Sequence, residues 1–328
     1  MVEQLRERWS GWGTRLSFAV LLLVFSEWVV WQTPTEFNLL EWGGIAAIYL
    51  ALAAISLDLL ERFQVNEALS LMVLAGLYGV VNGMLISHVI TRDLPFSLVI
   101  RPLAAQPLAF IGALAAFQIL ASGRASGPVD FGVALIAGLV WGIWVRWFPL
   151  KSNESIPAVE IGPALIALAV GLAACGVIRL VLPPSDIYRR EDWRLTRVEW
   201  GLMGAILWTA LVIGYAQKGI TGTGLGIVVA LGGFMVVLLV ATMRLRRKTS
   251  LVDRFTPPRR PNFAAWAILI VPFLAAGWVG YHLPGSGRSS IQGDLLFGAL
   301  TAFGVIWPPG VATLIGVRVF VQLAREEL

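Results

Sequence analysis

The stretch GALTAFGVIWPPGVATL, Gly298–Leu314, decides the reading of this chain. It is too apolar to be a surface segment and too long to be a buried strand, so it reads as the interior of a membrane span. Yet Pro308-Pro309-Gly310 stand in its middle. Two prolines remove two backbone donors and crowd the preceding helical turn, and in lipid an unmade backbone hydrogen bond costs several kcal/mol. The sequence therefore predicts a helix broken or sharply bent at Pro308–Gly310, with Trp307 beside the break. The freed carbonyls of Gly304 and Val305 would then face protein or a cavity. A break of this kind either serves as a substrate or ion site or is a structural kink healed by its neighbours.

Composition extends that reading to the whole chain. Of 328 residues, 57% are hydrophobic and 14% charged, where a soluble domain has roughly 25% charged residues. Mean hydropathy is +0.77. The fold class is therefore all-α: a polytopic integral membrane protein whose main partner is the lipid bilayer. Apolar runs of about 18 or more residues number ten, at 16–33, 39–59, 67–90, 104–122, 130–149, 161–182, 198–217, 223–243, 263–282 and 295–322. The segment at 93–104 is too short and too charged to span and is expected to be an interfacial connection. One cysteine and two histidines exclude a disulfide framework and a Cys- or His-rich metal site. No cofactor is assigned. No Walker loop, HExxH or Ser-His-Asp set is present, and nothing points to nucleic acid.

Arg and Lys set the orientation. With the N-terminus inside, about 19 of the 25 basic residues fall on the inner side, which puts both termini in the cytoplasm; the expected location is a bacterial plasma (inner) membrane. The basic loops at 186–197 and 244–261 read as topology determinants lying on anionic lipid, or as a docking site for a cytoplasmic partner.

Two short matches suggest an internal repeat. FGVALIAGLVWG (131–142) aligns with FGALTAFGVIWP (297–308), and LEWGGIAAIY (40–49) with VEWGLMGAIL (198–207). Each pairs span n with span n+5. Five is odd, so the halves 1–150 and 151–328 would be related by inversion, as in many secondary transporters. This layout resembles the drug/metabolite transporter superfamily in architecture. The resemblance rests on no motif, and no functional residue follows from it.

Glu27, in VFSEWVVW, is an acid deep in the first span, where charge is expensive unless paired, protonated or wet. It reads as a proton-coupling or cation site, or as a structural ion pair with His88, Arg101, Arg146 or His282. Asn82 lies mid-span on a Gly79/Gly83 face that permits close helix packing and either bonds solute or bonds across helices. Glu41, Glu67, Glu160, Glu199 and Asp294 read as caps at helix starts. The pathway candidates are thus Glu27, Asn82, His88, Arg146, Trp307, Pro308, Pro309 and Gly310. The first functional expectation is a secondary transporter or exporter-like permease for a small, partly apolar solute. The alternatives are a non-catalytic subunit of a larger membrane complex and a lipid-modifying enzyme using Glu27 and His88. Few candidate catalytic groups exist, so the expectation leans away from an enzyme.

Overall fold

The structure is a computed structural model that describes residues 2–31, 38–86, 94–123, 127–151, 159–181, 193–217, 219–243, 250–254, 262–284 and 291–326. Ten helices among them are long and apolar enough to cross a membrane, and no strand is present among these residues, so the chain is an all-α polytopic membrane protein. The helices are α1 (Val2–Leu23, continued as a π-helical segment Val24–Trp31), α2 (Leu39–Arg62), α3 (Ala68–Leu85), α4 (Phe96–Ser122) and α5 (Pro128–Lys151). The second half holds α6 (Ile161–Val181), α7 (Arg197–Ala216), α8 (Gly222–Thr242), α9 (Phe263–Tyr281) and α10 (Ile291–Glu326).

Local chemistry fixes several helix starts. Asn38 and Glu41 form a reciprocal capping box on α2, and Thr196 and Glu199 form another on α7; each satisfies two donors that a helix N-terminus leaves open. Thr221 caps α8 through Gly224 N and Asn262 caps α9 through Ala265 N. Gly222 and Gly226 have open space around them, so they do not serve helix packing. Gly123 ends α4 in the left-handed conformation, at φ 59°, where glycine carries no Cβ penalty. Glu67 makes no capping bond; it pairs with Arg318 of α10 at 2.7 Å.

Two expectations about helix continuity are corrected. The segment at 93–104 is not an interfacial connection from Phe96 onward: α4 begins there and runs unbroken to Ser122, with a π-helical turn at Arg101–Ala105. Arg101, whose charge made the segment look interfacial, is buried. The expected break in the last span is also absent. Helix α10 is continuous through Pro308 and Pro309, and Pro309 and Gly310 lie on its exposed face rather than against protein or a cavity. Prolines are tolerated in a membrane helix when the surrounding turns absorb the lost donors.

Contacts arrange the helices so that α1 packs on α2, α4 and α6, α2 on α7, α3 on α4 and α8, and α10 on α4, α5 and α8. The most extensive pair is α5 with α9, which run parallel. A methyl group at Gly138 would overlap Phe273 O, one at Gly142 would overlap Gly277 O, and the Trp141 ring lies on Gly277. Absent side chains let these two backbones approach. The same device joins α10 to α4, where Gly304 lies against Val99 O.

One end of the bundle carries both chain termini and is closed by polar contacts. Asp58 of α2 is fully buried and accepts from Leu195 N (2.7 Å), Trp200 Nε1 (3.3 Å) and Arg62 (3.0 and 3.2 Å). Glu199 of α7 accepts from Trp12 Nε1 and Arg15. Arg194 faces the buried Glu61 at 3.7 Å, and Ser250 and Leu251 donate to the carbonyls of Leu60 and Val65. The described parts of both basic loops thus dock into the bundle.

Candidate functional site

The first half of the chain surrounds a polar network in an otherwise apolar core. Tyr49 of α2 donates its hydroxyl to Glu27 Oε1 at 2.5 Å. Asn82 of α3 donates Nδ2 to the Tyr49 hydroxyl (2.9 Å) and to the Tyr78 hydroxyl (3.3 Å), and Tyr78 shares a 2.6 Å bond with Ser26. All five side chains are buried, Ser26, Tyr49 and Asn82 completely. Tyr49 stands ten residues into α2 and Tyr78 ten residues into α3. At 1.5 Å per residue each is about 15 Å from its helix start, and those starts lie at opposite ends of the bundle. The network therefore sits at mid-depth, far from either aqueous surface.

The backbone around it departs from α geometry twice. Glu27 and Ser26 lie in the π-helical segment of α1, and the Arg101 guanidinium, which acts electrostatically on Glu27, lies in the π-helical turn of α4. Such turns are frequent at functional sites. The α4 turn has an identifiable cause. In α geometry residue 107 would donate to Leu103 O, but Pro107 has no N–H. Trp307 Nε1 donates to Leu103 O instead, at 2.5 Å. In the α1 segment, Val30 O accepts from Trp144 Nε1 at 2.6 Å. Glycine makes room for this arrangement: the Trp307 ring lies on Gly76, and Gly79 lies against Pro102 O and Pro107. Two buried acceptors, Asn82 Oδ1 and Gln106 Oε1, have no partner among the described residues.

The residues singled out from the sequence are distributed as follows. Glu27 and Asn82 come together through Tyr49. Trp307 braces the turn that holds Arg101. Arg146 lies at the opposite end of the bundle from the termini, donating to Tyr281 O and Leu283 O with its guanidinium over the Trp147 ring. His282 is at the same end, stacked on Trp278. His88 lies outside the described residues. Pro308 is half-buried, while Pro309 and Gly310 are exposed. Sequence reasoning missed Tyr49, Tyr78 and Ser26. A signal existed: a tyrosine hydroxyl at mid-span needs a polar partner when buried.

A cavity of about 260 Å³ lies on another side of the α1 π-helical segment, bounded by Phe25 and Val29 and by α4, α5, α6 and α9. It thus has walls from both halves of the chain. Comparison with known proteins finds no matching family model, no similar curated protein and no similar solved structure.

Proposed function

We propose that the protein is a secondary transporter for a small, partly apolar solute, with Glu27 as the group whose protonation or cation binding couples to transport. The observation that carries this reading is the buried Glu27–Tyr49–Asn82 network at mid-depth, held on a π-helical segment and opposed by Arg101 on another. An acid in that position is costly unless its charge is compensated or removed. Tyr49 hydrogen-bonds the carboxyl and Arg101 acts on it electrostatically when it is ionised, and protonation of Glu27 would remove that attraction. The unpartnered Asn82 Oδ1 offers an acceptor to a solute donor beside the same carboxyl.

The transporter proposal includes an inverted repeat of 1–150 on 151–328. Exchanging helix n with helix n+5 leaves the pairs α1–α6, α2–α7, α3–α8 and α5–α10 unchanged, and it exchanges α5–α9 with α10–α4 and α1–α4 with α6–α9. The aligned residues behave alike. Glu41 and Glu199 each close a capping box. Gly138 lies against a carbonyl of α9 as Gly304 lies against one of α4, and Trp141 and Trp307 are buried against the same two helices. The α1–α2 and α3–α4 contacts have no comparable counterparts in the second half, so the halves would be equivalent in plan and unequal in packing.

The test is purified protein in liposomes containing a pH-sensitive dye, challenged with small amphiphilic amines, carboxylates and zwitterions. Solute-dependent proton movement is expected, and Glu27→Gln should abolish it in a folded protein. Equal movement in wild type and Glu27→Gln would overturn the role of Glu27. A second reading, an integral subunit of a larger complex, is favoured by the exposure of the second half. The most apolar windows of α7 and α10 are only 11% and 17% buried, against 56–67% for α1–α4. A protein that moves none of these solutes and co-purifies with stoichiometric membrane partners belongs to that reading.

A further inference from the structure

We infer that the cavity beside the α1 π-helical segment is a binding site for one alkyl chain of a bilayer phospholipid, entering sideways between α4 and α5. The proposal stands independently of the transport reading.

Three observations lead to it. First, the lateral opening is at hydrocarbon depth. Among the lining residues, Ala115 of α4 and Val133 and Ala137 of α5 are exposed on the outer surface of the bundle. Ala115 is seven residues from the end of α4 and Ala137 nine from the start of α5, so they stand about 10 and 14 Å inside the helix ends. The hydrocarbon core is roughly 30 Å thick, so what meets this opening is lipid rather than water.

Second, the polar groups are confined to one level. Asp130, at the third position of α5, and Gln118, four residues before the end of α4, lie near the end of the bundle that carries the termini. Deeper in, the walls are Phe25, Leu269, Ile270 and Phe273. From Asp130 to the level of Phe273, ten residues into α9, the lining extends about 12 Å along the helix axes. A ligand that fits this gradient has a polar head at the interface and an apolar tail pointing to mid-membrane. No basic side chain lines the cavity, so a headgroup carrying an ammonium suits it better than an anionic one.

Third, the size suits a chain rather than a bulky solute. Drug-sized pockets run from about 300 to 1,000 Å³, and this one holds about 260 Å³. Small residues make it: Gly112, Ala115, Ala116, Ala134 and Ala137 stand where larger side chains would fill the space. Gly112 also receives the edge of the Phe25 ring, and Phe25 is two residues from Glu27. A chain in the cavity therefore rests against the segment that carries the buried acid.

The test uses the full chain in nanodiscs containing a trace of phosphatidylethanolamine spin-labelled on its acyl chain. Wild type should hold one more motionally restricted lipid per protein than Ala137→Trp, which fills the opening. Val229→Trp, on the exposed face of α8, should match wild type. Asp130→Asn should abolish a preference for phosphatidylethanolamine over phosphatidylglycerol. If Ala137→Trp does not fold, Ala115→Leu gives the same comparison with a smaller side chain. Equal numbers of restricted lipids in wild type and a folded opening-filled variant would overturn the proposal. So would loss of the restricted lipid on self-association, which would assign the opening to a second copy of the chain. Solute-driven proton movement that survives in the opening-filled variant would leave the transport reading intact while this site failed or held on the lipid count alone.

Discussion

At the scale of single residues, Tyr49 is the hinge of the buried network, because its hydroxyl is both the donor to Glu27 and an acceptor from Asn82. Tyr49→Phe removes both bonds while keeping the ring. Leaving buried polar groups unmatched costs about 1–3 kcal/mol, so thermal unfolding in detergent should show a clear fall in stability. Solute-driven proton movement should fall with it. Tyr78→Phe should cost less, since Asn82 keeps its bond to Tyr49. If Tyr49→Phe is as stable and as active as wild type, the network is not a working unit. Glu27 was legible in the sequence because an acid inside an apolar run has few innocent explanations. Asn82 was legible for the same reason. Their connection was not, because nothing in a linear sequence tells which of the five tyrosines lies at the depth of the acid. That depends on how α1, α2 and α3 are offset along the membrane normal.

At the scale of elements, the prolines that shape the site are Pro102 and Pro107, not Pro308 and Pro309. Pro107→Ala restores a donor for Leu103 O and lets the π-helical turn of α4 revert to α geometry. Removing the extra residue of a π turn rotates what precedes it by about one residue, or 100°. Arg101 would then swing away from Glu27. The expected result is a folded protein with impaired proton movement, and activity equal to wild type would show that the turn is incidental. Trp307→Phe should destabilise the turn, since it strips from Leu103 O the donor that stands in for the missing N–H of Pro107. By contrast, Pro309→Ala on the exposed face of α10 should leave activity unchanged and stability equal or higher, because proline is the poorest helix former. The sequence drew attention to Pro308-Pro309-Gly310 through local rules. Those rules say where a helix is stressed, and packing decides whether it yields. VFSEWVVW contains neither proline nor glycine, so its π-helical geometry has no local signature; it is set by contacts with α4, α5 and α6.

At the scale of the whole molecule, the ten-helix plan was readable from apolar run lengths because the bilayer forces every span to hide its backbone. The pairing of helices was not readable, because a linear sequence does not say which apolar faces meet. The equivalence of the halves can be tested with Gly138→Leu and Gly304→Leu. Both place a side chain into a carbonyl of the facing helix, and both should cost several kcal/mol or abolish folding. Gly298→Leu, with open space around it, should be neutral by thermal unfolding. The end that carries the termini is locked across the halves by Asp58, Glu61, Arg15 and Glu199. Removing the buried Asp58 carboxylate leaves the Leu195 N–H and Trp200 Nε1 without their acceptor, and each unmatched buried group costs about 1–3 kcal/mol. Asp58→Ala should therefore destabilise strongly and expose the chain at Arg194 to limited proteolysis, whereas Glu41→Ala, at the exposed opposite end, should cost about 1 kcal/mol.

The parallel pairing of α5 with α9 also sets an order of events during synthesis. Two parallel helices cannot meet as a hairpin, so α5 must wait in the bilayer until the three helices between them and then α9 itself have been made. Through that interval Gly138 and Gly142 form an unoccupied small-residue face of the kind that joins helices in lipid. A nascent chain halted before Phe263 would present that face to any neighbouring copy. Ribosome-released chains ending at residue 261 should therefore self-associate through α5, and Gly138→Leu should suppress this in the short chain while damaging the full-length one.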